Sequence, residues 1–419
     1  MEAKDSQAIA SNAADKVARV GKVDKVNKVN KVDRDGKVDS VNNDLKVSND
    51  NHTRHPKHGW EVKKLGEVGT IITGATPSTK EKDNYSSKDY CFVKPSDISN
   101  HSISSINETE DYISEKAYLK SRQLPKDAVL TTCIGIIGKV GILKVEAICN
   151  QQINAIIPNN NIISKFLAYS IFYRKKYLQH IANAPVVPII NKKGFSEIPI
   201  AIPPMEEQER IVAELDCLSG VIEKKRQQLK EYDALAQSIF YDMFGDPISN
   251  EKGWKVKRLI DVVKMQRGFD LPVQERDNSG TIPIFGSNGI IGCHSSHKAE
   301  YGIITGRSGT LGEVYSCDKP FWPLNTTLFS VDTHGNNIIF LKYLMANFHL
   351  ERFKAGAGVP TLNRNEFHNE LIPNISLSLQ QEFAEKIEAI EKQKELLKRS
   401  IKEIETLFDA RMDYYFGDT

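Results

Sequence analysis

Gly59-Trp60-Glu61-Val62-Lys63-Lys64-Leu65 returns as Gly253-Trp254-Lys255-Val256-Lys257-Arg258-Leu259, and Phe244-Gly245-Asp246 returns as Phe416-Gly417-Asp418. Between each Gly-Trp and the next Phe-Gly-Asp the chain runs the same course. Short apolar runs broken by turn residues come first, then a proline-punctuated stretch, then a long charged segment. A duplicated unit of this size predicts a pseudo-symmetric molecule with two equivalent working surfaces, suited to a target that also has two parts.

The charged segments, residues 206–243 and 378–415, carry the strongest periodicity. With Ile211 at heptad position d, the seam reads Ile211, Leu215, Leu218, Ile222, Lys225, Leu229, Tyr232, Ala236, Ile239, Met243. A shift of 172 gives the second seam: Phe383, Ile387, Ile390, Lys394, Leu397, Ile401, Ile404, Phe408, Arg411, Tyr415. Steps of three and four in a shared register are the coiled-coil signature. At about 1.5 Å per residue each helix is a rod of roughly 57 Å. Pro199, Pro203, Pro204 and Pro373 must precede the rods, and Gly245 and Gly417 stop them. Lys225 and Lys394 fall on the seam, where a buried charge is costly. Snorkelling out of the seam to water is the expected solution, the alternatives being that they specify register or mark where the helices splay toward a partner.

Residues 58–204 and 247–376 are the two bodies. Runs such as Gly69–Thr73 and Leu324–Val331, interrupted by Gly, Asn and Pro, predict mostly strand. Ser164–Gln179 and Asn337–Phe353 have helical spacing. The shift of 172 also pairs Pro188 with Pro360, Asn191 with Asn363 and Phe195 with Phe367. It becomes 174 at Gly135/Gly309 and 194 at the Gly-Trp pair, so the first body has extra residues between Thr73 and Gly135. The expected division is a disordered low-complexity tail (1–57), a first body (58–204), a central helix (205–246), a second body (247–376) and a second helix (377–419). The tail repeats Lys-Val-Asp/Asn in threes, a period of neither helix nor strand.

Composition limits the function classes. The chain has 419 residues, 40% hydrophobic and 26% charged, as in globular proteins. No apolar run approaches the roughly 20 residues of a membrane helix, and no signal-peptide stretch opens the chain, so a cytoplasmic protein with no membrane association is expected. The six scattered cysteines are then expected as free thiols. The net charge of +2 is uninformative, because residues 1–58 hold 12 basic and 9 acidic residues and the remainder 44 and 45. Gly135-Ile136-Ile137-Gly138-Lys139 lacks the spacer and Ser/Thr of a phosphate loop and reads as a turn. Cys293-His294-Ser295-Ser296-His297 lacks further ligands for a metal. There is no Gly-x-Ser-x-Gly elbow and no Asn/Asp-Pro-Pro-aromatic motif of amino-methyltransferases. No catalytic residue is expected. Basic clusters are present instead, at Arg174-Lys175-Lys176, Lys192-Lys193, Lys255/Lys257/Arg258 and Arg352/Lys354 with Arg364 nearby. Such clusters suit phosphate contacts.

Several motifs recur in a fixed order. These are Gly59-Trp60, Thr73–Ser78, Gly135–Val140, Ile202-Pro203-Pro204-Met205-Glu206-Glu207-Gln208 and Phe244-Gly245-Asp246, with a second round that loses Pro-Pro at Ile375–Gln380 and has Gly312-Glu313-Val314 for Gly-Lys-Val. In that order the chain resembles the specificity subunit of type I restriction–modification enzymes over about residues 58–419. The resemblance implies an α+β fold: two pseudo-symmetric mixed α/β target recognition domains separated by two long antiparallel coiled-coil helices. It implies that each domain reads half of a split site on double-stranded DNA. It implies two methyltransferase (M) subunits carrying S-adenosylmethionine and motor-nuclease (R) subunits using ATP and Mg, with no cofactor in this chain. Charge and position nominate Thr76, Ser78, Lys80, Lys139, Lys192, Lys193, Arg267, Asn288, Arg307 and Arg364 for DNA contact. Ile211, Leu218, Lys225, Ile387, Lys394 and Leu397 are nominated for partner docking along the helices. The alternative is a duplicated coiled-coil adaptor whose bodies bind protein.

Overall fold

A computed structural model describes residues 59–182, 187–277, 279–355 and 361–417. The repeat-rich tail lies outside the described residues. Eight helices are labelled α1 (Glu115–Leu119), α2 (Ser164–Tyr173), α3 (Lys175–Ile181), α4 (Lys192–Ser196), α5 (Met205–Phe244), α6 (Ile338–Asn347), α7 (Arg364–Phe367) and α8 (Leu377–Phe416). The long helices α5 and α8 have 40 residues each, slightly more than the seam alone predicts. Glu214 meets Arg411, Arg226 meets Glu405 and Asp233 meets Lys394. Numbers rise along one helix as they fall along the other, so the pair is antiparallel. Every seam position is buried or half-buried.

Lys394 departs from expectation. Its side chain is only 13% exposed, and Nζ lies 2.7 Å from both Asp233 and Glu391. Burial opposes the charged form, but hydrogen bonds to the two carboxylates outweigh it and raise the pKa. Opposite charge, not escape to water, resolves the buried ammonium.

Each body starts and ends in one antiparallel ribbon: β1 (Glu61–Lys64) with β10 (Pro199–Ile202), and β11 (Val256–Arg258) with β21 (Leu371–Pro373). The main sheet of body 1 has the order β2 (Gly69–Thr73), β9 (Ile153–Pro158), β6 (Val129–Thr132), β7 (Val140–Leu143), β4 (Ser104–Ile106). That of body 2 is β12 (Lys264–Arg267), β18 (Thr327–Asp332), β15 (Gly302–Gly306), β16 (Val314–Cys317). A second sheet follows in each: β5 (Tyr112–Ile113), β3 (Tyr90–Val93), β8 (Ala147–Cys149), and β14 (Gly289–His294), β13 (Ile282–Gly286), β17 (Trp322–Pro323). β3 runs parallel to β8 and β13 parallel to β17, so the segments that differ most still share a plan. The small pair β19 (Lys354–Ala355) and β20 (Thr361–Leu362) completes body 2.

The single helix expected over Ser164–Gln179 is broken at Arg174, whose ψ of 9° leaves the helical range and whose Nη1 turns back to the Ser170 carbonyl at 3.2 Å. The one expected over Asn337–Phe353 ends at Asn347. His349 is left-handed, with φ 54°, and a 3-10 turn, Leu350–Phe353, follows.

Both long helices close both cores. Ile211 and Leu215 of α5 join Met412, Tyr415 and Phe416 of α8 around Trp60 and Phe166 in body 1. Ala236, Phe240 and Phe244 of α5 join Phe383, Ile387 and Ile390 of α8 in body 2. The phenylalanine of each Phe-Gly-Asp therefore plugs the body toward which its helix runs. Phe416 lies 5.5 Å from Phe166, and Phe244 lies 5.1 Å from Phe340, ring centre to ring centre. Trp254 Nε1 donates to the Phe244 carbonyl at 2.9 Å, tying the start of body 2 to the plug.

This packing sets where the nominated docking positions lie. Ile211 and Ile387 are buried inside the two cores. Leu218, Lys225 and Leu397 are half-buried on the seam, and Lys394 is held by its carboxylates. Seam periodicity marks what the helices show each other, and the positions between the seam residues are what they leave to solvent.

The two closures differ in chemistry. At body 2 Phe240 stands 5.2 Å from Phe244 and 5.7 Å from Phe383. At body 1 Arg411 forks onto Glu214, the Tyr415 hydroxyl donates to Glu214 at 2.6 Å, and Tyr169 and Lys165 both bind Asp216, at 2.7 and 2.5 Å. Burial opposes ionisation of Glu214, but hydrogen bonds from Arg411 and Tyr415 prevail and hold its carboxyl below the usual value of 4.5. A carboxylate with a lowered folded pKa stabilises above its unfolded value and loses that contribution as pH falls through the folded one. Glu214→Gln should therefore destabilise this junction by up to ~1 kcal/mol, the scale of a partly exposed pair. Hydrogen exchange should rise at 408–416 but not at 236–244. The difference from wild type should vanish in acid, where Glu214 is protonated.

Candidate nucleic-acid interface

The same three backbone pieces meet in each body. The first is a Gly-x-x-Gly turn, Gly135–Gly138 joining β6 to β7 and Gly309–Gly312 joining β15 to β16. The four glycines have φ of 76°, 84°, 86° and 92°, which side-chain-bearing residues rarely adopt. Each turn joins two antiparallel strands, whereas a phosphate loop leads into a helix.

The second piece is laid along that turn. Ile134 bridges Ile189, and Ser308 bridges Thr361. Ile190 N donates to Cys133 O at 2.9 Å, and Leu362 N to Arg307 O at 2.8 Å. Each strip leads into a short helix, α4 or α7. Asn191 and Asn363 cap these helices through their side chains, and Phe195 and Phe367 anchor them, fully buried. Lys192, Lys193 and Arg364 consequently sit in the first turn of these helices, the lysines exposed and Arg364 half-buried.

The third piece is the loop leaving β2 or β12. A Cβ on Gly74 would stand 2.1 Å from Asn150 O, and one on Gly268 would stand 2.2 Å from Leu324 O. Only glycine lets the two backbones approach so closely.

In body 2 two of the nominated side chains, Arg267 and Arg307, meet around Asp270 and Asn325. Arg267 Nη2 is 3.7 Å from Asp270 Oδ1, and Asn325 Nδ2 donates to the same oxygen. Arg307 Nη1 reaches the Asn325 carbonyl at 3.4 Å. Ser287, next to Asn288 on the β13–β14 turn, lies beside Gly309. Arg364 joins through the strip bonded to Arg307.

In body 1 the Thr76 hydroxyl donates to Gln151 Oε1 at 2.6 Å. Ser78 and Lys80 are exposed on the same loop, where the Ser78 carbonyl accepts from Asn84 Nδ2 at 3.0 Å. Lys139 is held differently from the loop residues. Its Nζ is half-buried and donates to Pro95 O at 2.6 Å, while Lys175 holds Asn100 O at 2.7 Å. These two lysines brace the loop that carries both carbonyls, so the Lys139 ammonium is engaged in a structural contact.

The Cys293–His297 segment is not gathered as a metal site. His294 Nδ1 accepts from Asp277 N, and His297 meets Glu300 at 2.8 Å. Among the described residues no three His, Cys, Asp or Glu are grouped as metal ligands would be, and no helix is long and apolar enough to cross a membrane. All six cysteines are unpaired.

Sequence reasoning missed Gln151 and Asn325, which stand where the three pieces meet. They are 174 residues apart, the spacing of the glycine turns, and that spacing was the signal available for finding them.

A family model described as type I restriction modification DNA specificity domain matches residues 57–231 and 251–406. The MjaIX type I restriction enzyme specificity subunit of Methanocaldococcus jannaschii is 33% identical over 236 residues, 52% of this chain and 54% of that subunit. The EcoR124I/EcoR124II specificity subunit of Escherichia coli is 33% identical over 165 residues, 37% of this chain and 40% of that one. The chain thus spans about half the length, or less, of these curated relatives. The S subunit of a type I restriction–modification system from M. genitalium superposes with a TM-score of 0.55 at 14% identity, covering 88% of this chain and 98% of that chain. A chain solved in work on complex assembly and conformational transition of the type I R-M system superposes at 0.53 with 18% identity, covering 87% and 100%. At such identities these two likenesses concern the fold alone.

Proposed function

Because this chain belongs to the type I restriction modification DNA specificity family, we propose that it is the non-catalytic subunit that selects the DNA sequence for a type I restriction–modification complex. Each body reads one half of a bipartite site. The antiparallel helices hold the bodies apart and dock two M subunits on their outer faces. S-adenosylmethionine belongs to those partners, and ATP and Mg belong to R subunits. The observation that carries this reading is the site itself: one backbone frame occurs twice with different side chains on it. Shared backbone with divergent side chains suits two surfaces doing one task on two sequences.

The dimensions agree. Half-sites one turn of B-DNA apart are separated by ~34 Å, within the ~60 Å of a helix of 40 residues. The exposed or half-exposed Lys80, Lys192, Lys193, Arg267, Arg307 and Arg364 supply phosphate contacts or bidentate contacts to guanine. Thr76, Ser78 and Asn288 add short polar groups.

Methylome sequencing of the host with and without the gene tests the reading. One bipartite methyladenine motif should vanish entirely on deletion. An unchanged methylome would overturn the proposal and favour an adaptor that binds protein.

A further inference from the structure

Gln151 and Asn325 occupy the same place in the two repeats. Each directly follows the backbone on which Gly74 or Gly268 presses, at Cys149–Asn150 or Pro323–Leu324. Gln151 is exposed and Asn325 half-exposed, so neither is a core amide. Neither is charged, so neither adds to the attraction for phosphate.

Each amide is gripped by the loop that leaves the first strand of the main sheet. Thr76 Oγ1 donates to Gln151 Oε1 at 2.6 Å, and Asn325 Nδ2 donates to Asp270 Oδ1. The grip is one hydrogen bond in each case, which orients the amide without saturating it. Gln151 keeps a second lone pair on Oε1 and its two N–H donors, while Asn325 keeps Oδ1 and a second N–H. Each therefore offers one acceptor and one donor side by side. That pair matches the N6 and N7 edge of adenine in the major groove. Cations stand nearby: Arg307 touches the Asn325 carbonyl, Arg267 touches Asp270, and Lys80 lies on the loop that carries Thr76. Phosphate contacts of this kind fix the register of a duplex but do not distinguish bases.

We propose that Gln151 and Asn325 are specificity-determining residues, each reading an adenine, one in each half of the site. This rests on the specificity-subunit reading above. Thr76 and Asp270 are positioning residues that hold the amides in plane.

The test uses the full chain in its complex with the methyltransferase subunits, with methylation mapped by sequencing. Wild type should give a bipartite motif with an A·T pair required in each half. Gln151→Ala should relax one A·T position in one half by roughly tenfold or more, and Asn325→Ala one position in the other half. Thermal melting should be unchanged, because both side chains reach solvent. Two results would overturn the proposal: a bipartite motif whose base preferences survive both substitutions, or a uniform loss of methylation with no change in preference. A wild-type complex without any bipartite motif would instead remove the reading beneath it.

Discussion

Phe240→Ala is expected to cost about 3–5 kcal/mol, measured as a lowered unfolding transition in calorimetry of the full chain. Phe240 is fully buried, and its ring meets rings from three helices. Phe244 lies 5.2 Å away on the same helix, Phe383 5.7 Å away on α8, and Phe340 and Tyr343 6.4 Å away on α6. Neighbours that are themselves held in place relax little, so the cavity stays open and the cost falls at the upper end for a large-to-small change. The equivalent position at body 1 is Met412, also buried within an apolar core but unbranched and without a ring. Met412→Ala should cost less. An equal cost at both sites would refute the distinction between a core position filled by a stacked ring and one filled by an adaptable thioether.

Gly268→Ala should abolish reading by body 2 while sparing body 1. The added Cβ would meet Leu324 O at 2.2 Å and Pro323 O at 2.5 Å. These are backbone atoms that cannot rotate aside. The loop after β12 must lift, at a cost of about 1–3 kcal/mol for overpacking, and Asp270 is drawn off Asn325. Methylation mapping should show one half of the motif degraded by tenfold or more, on the scale of a lost base contact. Gly74→Ala should do the same to the other half. Either substitution degrading both halves equally would count against independent bodies.

Some features were legible in the sequence because their physics is local. The seam could be read because helical period alone decides which side chains share a face, and the Gly-x-x-Gly turns because their chemistry sits within five residues. The Phe-Gly-Asp stop was visible, but its use as a plug was not. Periodicity says that Phe244 and Phe416 are apolar, not that α5 and α8 deliver them to opposite bodies. Lys139 read as a surface cation because its partner, the Pro95 carbonyl, is 44 residues away. Ile211 and Ile387 were assigned to partners for a similar reason: a stripe on a helix does not name what covers it. Gln151 and Asn325 are ordinary amides until the glycine loops are placed beside them.

The plug at body 1 also orders events during synthesis. Trp60 and Phe166 need Met412, Tyr415 and Phe416 to complete their core, and these are made roughly 350 residues after Trp60. Body 2 is sealed by Phe244, already on the ribosome's far side, and by the first turns of α8. Contacts so distant in sequence form late, and domains emerge from the ribosome in chain order. The first body translated is therefore the last to be finished, and a chain that has reached the first turns of α8 but not its end carries a closed second core beside an unsealed first one.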